Sequence, residues 1–223
     1  MSLTTFRTAV VASFALSVVS FAQPNITVDT PYQVRYAANL NVGDSVINIT
    51  NSGARGAGLA AGTSASTTGA ICVNVYAFSP DEQMISCCSC PVTPNGLVSL
   101  SARQDLISNT LTPAQPTSIV VKLLASVPVG GSCSSSAANP GAPTQGMLAW
   151  GTTVHAGAVA GSAAAVTETA FSPATLSGGT QDQFAGIGEL ARLTSLCTFI
   201  NANGSGFGIC RSCRLGGLGA GRL

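Results

Sequence analysis

The chain has 223 residues, only 8% of them charged, with nine lysines and arginines against eight aspartates and glutamates and a single histidine. Soluble domains typically carry roughly 25% charged residues, so this surface has no strong field to steer nucleic acid or anionic lipid. One histidine also excludes a catalytic metal centre built from several.

The N-terminus reads as an export leader. Arg7 supplies a positive start, residues 8–21 are mostly apolar, and Ser20-Phe21-Ala22 places small residues at the two positions a signal peptidase reads. Residues 1–22 are therefore expected to be removed as a signal peptide. The apolar run falls short of the ~20 residues a helix needs to cross a bilayer, so no membrane span is expected after cleavage. Arg7 leaves with the leader, and eight basic residues then face eight acidic ones. So little charge does not oppose self-association, which is compatible with contacts between copies or with a cell surface or matrix.

In the remaining chain, 33–40 and 45–51 read as two strands joined in a hairpin around Asn41-Val42-Gly43-Asp44. Val46, Asn48 and Thr50 alternate with Ile47 and Ile49, as in a sheet with one wetter face. Residues 54–69 are a Gly/Ala/Ser/Thr run without periodicity, read as a loop. The stretch 71–102 then organises the chain. Ile71, Val73, Val75 and Ala77 share one face of an extended segment, and Cys72, Asn74, Tyr76 and Phe78 share the other. Both faces carry bulk that prefers burial, so a central strand is predicted. Ser79-Pro80-Asp81-Glu82 suits a turn, residues 83–90 return as a partner strand, and Pro94-Asn95-Gly96 is a second turn.

Beyond it, Leu106, Ile107 and Leu111 are expected in a short helical turn packed on the sheet. Residues 117–126 alternate as a second strong strand. The loop 127–145 carries Cys133, and strands are expected over 146–155 and 165–171. Around Ser177 the period changes. Phe184, Ile187, Leu190, Leu193, Leu196, Cys197 and Ile200 suit a helix within 180–200, with Glu189 and Arg192 three apart on its polar side. Asn203-Gly204-Ser205-Gly206 ends it. The apolar arc is wide enough for either a buried helix or an assembly surface. The fold class is accordingly mainly β, a disulfide-stabilised sandwich-like domain with one C-terminal α-helix. Its expected parts are a β-rich domain over 23–176, the helix and a Gly-rich turn over 177–209, and a Cys/Arg/Gly-rich tail over 210–223.

All eight cysteines (Cys72, Cys87, Cys88, Cys90, Cys133, Cys197, Cys210 and Cys213) follow the leader, and an even count in an exported chain reads as disulfides. The sequence does not choose among the pairings, but adjacent Cys87 and Cys88 are expected to take different partners. Cys87 to Cys90 and Cys210 to Cys213 are both C-x-x-C units, which elsewhere hold zinc or act as redox dithiols. Here one precedes a proline-containing turn and the other lies in a Gly-rich tail, so structural bridging is the preferred reading and no metal or cofactor is expected.

No catalytic set is assigned. His155 is the sole candidate for a general base, but no Gly-x-Ser-x-Gly elbow accompanies it. Asp81 and Glu82 are adjacent in a turn and do not oppose each other as glycosidase carboxylates do. Arg211, Arg214 and Arg222 make the tail locally basic, a weak hint of an acidic partner. Asn25, Asn48 and Asn203 begin N-x-Ser/Thr sequons.

ICVNVYAFSPDEQMISCCSCPVTPNGL and the ending GFGICRSCRLGGLGA resemble a group of uncharacterised secreted bacterial proteins. The resemblance implies a secreted bacterial origin, in which the sequons carry little weight, and brings no activity. The expected function is a secreted or cell-surface (extracellular or periplasmic) non-enzymatic protein with a structural or adhesive role. The alternatives are a secreted hydrolase with His155 as base and a cysteine-based metal-binding or redox protein.

Overall fold

The structure is a computed structural model describing residues 29–57, 68–113, 115–136, 140–157, 163–177, 188–206, 208–211 and 213–215. The expected leader, Asn25, Arg222 and residues 180–187 of the expected helix lie outside the described residues. Extended segments run over Tyr32–Ala37 (β1), Val46–Asn51 (β2), Ile71–Phe78 (β3), Met84–Val92 (β4), Leu97–Ser101 (β5), Ile119–Ser126 (β6), Met147–His155 (β7), Ala165–Ala170 (β8), Ser172–Pro173 (β9), Gly208–Ile209 (β10) and Arg214–Leu215 (β11). They build two sheets, ordered β10-β4-β3-β6-β1-β9 and β11-β5-β2-β7-β8. All pairings are antiparallel except β10 on β4. One helix is described, Glu189–Ala202 (α1). The mainly β sandwich with a C-terminal helix is therefore what the chain forms.

The six-stranded sheet has two buried faces. Ile71, Val73, Val75 and Ala77 of β3 point into a core shared with Ile47, Ile49, Val98, Leu100 and Met147 of the other sheet. Tyr76 and Phe78 point the other way, into a second cluster completed by Leu193, Cys197 and Ile200 of α1. Every residue of β3 is consequently buried, and β3 lies between β4 and β6, as its two bulky faces predict. Higher on the same outer face the loop after β6 takes over from the helix. Tyr76 donates its hydroxyl to Ser135 O at 3.1 Å, and Asn74 is satisfied by Ser126 and Ser89. The wide apolar arc of α1 is thus spent on the sheet, although Phe199 remains 58% exposed. Glu189 ties the helix start to Lys122 of β6 and reaches Arg192 at 3.5 Å, while Ser177 Oγ accepts from Glu189 N at 2.9 Å.

The expected hairpin between the first two strands does not form. β1 pairs with β6 and β9, whereas β2 pairs with β5 and β7 in the other sheet. The link over 38–45 arches across the sandwich because Leu40 within it must be buried, at 2% exposure, and its backbone N bonds Thr117 O at 2.8 Å. Asn39 takes the positive φ of 58° that starts the arch. The helical turn after β5 also differs from expectation. A single π-helical turn, Ala102–Leu106, is capped by Ser101 accepting from Gln104 N, and Leu106 and Ile107 are buried. It closes by Leu106, so Leu111 lies beyond it and is 47% exposed. The turns at Pro80-Asp81 and Pro94-Asn95 appear as read, with Glu82 and Asn95 at positive φ.

Burial raises the pKa of both Tyr32 and Tyr76 above the ordinary 10.0, with Glu189 adding to the shift at Tyr32 and Tyr32 adding at Tyr76. A raised folded-state pKa means the unfolded chain releases its protons first. Stability is then fully present below pH ~10 and falls above it, by up to ~1.4 kcal/mol per pH unit for Tyr76. Denaturant midpoints measured between about pH 9 and about pH 11 are expected to fall less steeply for Tyr76→Phe than for the native chain.

Candidate functional site

Alternation along β4 decides where its sulfurs go. Cys88 and Cys90 face the inter-sheet core, and Cys87 faces the helix. The pairs are Cys72–Cys133, Cys87–Cys197, Cys88–Cys210 and Cys90–Cys213, with Cα separations of 5.3, 5.7, 4.9 and 5.9 Å, and no cysteine is free. These separations lie within the range a disulfide spans without backbone movement. Each joins pieces that are distant in sequence. Cys72–Cys133 fastens the loop after β6 over the outer face, and Cys87–Cys197 fastens α1 beside it. Cys88–Cys210 and Cys90–Cys213 hold a C-terminal segment that adds β10 to the edge of one sheet and β11 to the edge of the other. The apparent C-x-x-C from Cys87 to Cys90 is thus split between two faces of a strand.

His155 ends β7 in an exposed position, its Nε2 2.9 Å from Thr167 Oγ1 of β8. That is hydrogen-bond reach for a base and a hydroxyl nucleophile. Glu168, adjacent in sequence to that threonine, is turned to the other face of β8, where Oε1 accepts from Asn48 Nδ2 at 2.8 Å. Asp81 receives a bond from Ser79 Oγ within its turn, which accords with a capping role. Arg211 is exposed, and Arg214 lies in β11.

The sequence reasoning missed Arg35. It lies on the inward face of β1, only 7% exposed. Its Nε donates to Thr169 Oγ1 at 3.1 Å, Nη2 to Thr153 Oγ1 at 2.8 Å and Nη1 to Ser45 Oγ at 3.4 Å. Burial lowers its pKa, while Glu168 opposes the shift, and an arginine stays charged regardless. Four segments from both sheets therefore meet on one desolvated cation, with hydroxyls in place of a directly bonded carboxylate. Gly151 makes the space, since a Cβ there would stand 2.6 Å from Nη1 and 2.7 Å from Cζ. The signal available in the sequence was the run Trp150-Gly151-Thr152-Thr153, a glycine within an otherwise extended pattern, which marks a close approach.

Beyond Arg35 the strands β7 and β8 form a flange. All six residues of β8 are exposed, and among the described residues β8 is paired on one side, by β7. Phe171 N donates to Ala149 O at 2.9 Å. By the two-residue alternation the backbone groups of Thr167 and Thr169 turn toward β7, and those of Val166, Glu168 and Ala170 turn to the open side. Val166 is 61% exposed and Trp150 36%. Among the described residues no helix is long and apolar enough to cross a membrane.

No family model, curated protein or solved structure matches the chain.

Two outcomes follow from these placements. Gly151→Ala is expected to cost about 1–3 kcal/mol, read from the denaturant midpoint, because Arg35 is held by three hydroxyls and cannot yield. In an Arg35→Met background the same change should cost clearly less, giving a coupling energy in the double-mutant cycle. Replacing Cys87 and Cys197 together by alanine is expected to cost about 2–5 kcal/mol and to loosen α1, measured as faster amide exchange in the helix than in β3.

Proposed function

We propose that the protein is an exported, non-enzymatic structural or adhesive domain that acts outside the cytoplasm, at the cell surface or in the periplasm, through its β7–β8 flange. The observation that carries this reading is β8, a strand exposed on both faces whose outer row of backbone groups faces away from the sheet. Such an edge is a template for strand addition by another chain. A charge in an edge strand normally guards against this, but Glu168 leans back across β7 to Asn48 and leaves the edge itself clear. Four disulfides and the leader read from residues 1–22 support an oxidising compartment. The resemblance of the 71–97 stretch to secreted bacterial proteins points the same way.

The partner that fits is a second copy of the chain. In an antiparallel contact about a two-fold axis, the register with Thr167 opposite its own counterpart sets Glu168 against Val166 rather than against another Glu168. A secreted hydrolase with His155 as base is the second reading, and the 2.9 Å approach of Nε2 to Thr167 Oγ1 is what favours it.

The test is light scattering after size exclusion of the exported protein over a wide concentration range, with electron microscopy of the same material. Concentration-dependent dimers or larger assemblies are expected, together with an N-terminus at Gln23. Val166→Pro removes an outward-facing N–H without touching the β7 ladder and is expected to return the protein to monomer with little loss of stability. A native chain that stays monomeric at every concentration overturns the assembly reading. A hydrolytic activity abolished by His155→Ala would replace it with the enzyme.

A further inference from the structure

The sulfurs at the C-terminal clamp are grouped more tightly than cross-bracing alone requires. Sγ atoms of Cys90, Cys210 and Cys213 all lie within 4.8 Å of one another, and Cys88 is bonded to Cys210 as the fourth member. A tetrahedral zinc with Zn–S bonds of about 2.3 Å places its four sulfurs about 3.8 Å apart. Opening the two disulfides and drawing in Cys88, which lies outside that group of three, would give a four-thiolate shell. Both chelating halves are already shaped. Cys88 and Cys90 project from the same face of β4, two residues apart. Cys210 and Cys213 are drawn together by a turn in which Cys213 N bonds Cys210 O at 3.4 Å, and Cys210 N bonds Ser89 O of β4 at 3.3 Å.

We propose that, once its two C-terminal disulfides are reduced, the chain binds one soft or borderline divalent cation of the zinc class through Cys88, Cys90, Cys210 and Cys213. The reductant is a dithiol. Each disulfide takes two electrons and two protons from one dithiol, giving two cysteine thiols and one oxidised, cyclic reductant, so two dithiols are consumed. The cation then displaces four thiol protons to solvent and forms four metal–sulfur bonds. The resulting shell carries two net negative charges, and Arg211 and Arg214 flank its ligands in the sequence. The spacing is C-x-C with C-x-x-C, and Cys87, which the sequence offers as part of a C-x-x-C, is excluded because it faces the helix and pairs with Cys197. The metal would pin β10 and β11 to their sheets in the reduced chain as the disulfides do in the oxidised one. Such exchange would let the fold survive in a reducing environment before export or during redox stress.

The experiment reduces the intact protein with a phosphine, which does not chelate, in the presence of Co²⁺, so that the fold need never be lost. One Co²⁺ per chain is expected, with the thiolate-to-cobalt charge-transfer and tetrahedral ligand-field bands of a four-sulfur site, displaced by added Zn²⁺. Cys88→Ser and Cys213→Ser should each lose the four-thiolate spectrum, whereas Cys133→Ser and Cys197→Ser should keep it. Absence of the bands in the native chain overturns the proposal. So does a spectrum that survives Cys213→Ser, or one lost equally in Cys133→Ser. None of these outcomes depends on whether the flange self-associates.

Discussion

The cross-linking of this molecule centres on β4. Three of the four disulfides start there, from Cys87, Cys88 and Cys90, and the alternation of a strand sends them to opposite faces. On one side the helix is fastened. On the other, the C-terminal segment is drawn in to finish the edges of both sheets. A strand that is covalently linked in both directions cannot slip in register, because a shift of one residue would exchange the inward and outward sulfurs. The bridges therefore do more than shorten the unfolded chain. They specify which face of the six-stranded sheet belongs to the helix.

This also explains how a chain with only 8% charged residues holds together. Glu189 at the helix start bonds Lys122 and Arg192, and the more exposed pair, with Arg192, is of a kind worth ~0–1 kcal/mol. A cross-link closing a loop of about 100 residues is worth several times more in the chain-entropy account, and three of the bridges here join residues 110, 122 and 123 apart. The remaining cohesion is apolar. It is divided into two clusters that share the six-stranded sheet as a common wall, so loss of the helix would uncover Tyr76, Leu124 and Cys87 while leaving the inter-sheet core in place.

Local signals were legible wherever one strand or turn could be judged alone. The doubly buried character of β3 was visible because Tyr76 and Phe78 alternate with Val75 and Ala77. The turn at Pro80 was visible from a proline that presets φ behind a serine able to bond the backbone ahead, and the turn at Pro94 from an Asn-Gly pair that accepts positive φ. Partnership was not legible in the same way. The arch over 38–45 looks like a hairpin loop in composition. What distinguishes it is Leu40, whose burial depends on a second sheet that no local pattern announces. β10 and β11 have two residues each, too short for any period to show, and they exist because Cys210 and Cys213 bring them to their edges. The pairing of the cysteines likewise depends on which face each strand presents, a property of the assembled sandwich.

Arg35 shows the same limit from the side of electrostatics. In a strand of alternating residues it stands at a core-facing position, where a sequence reader expects an apolar side chain. The structure accepts it because Ser45, Thr153 and Thr169 converge on the guanidinium and Gly151 leaves it room. Replacing a buried ion by an apolar group of similar shape is often neutral or stabilising, so stability alone does not account for a charge at this place. Its consequence is geometric. The guanidinium joins β1 of one sheet to β7 and β8 of the other, beside the exposed strand β8. A hydrocarbon would fill the same space without joining the three hydroxyls, so what the arginine adds is a polar link from β1 to β7 and β8 at the root of the exposed edge.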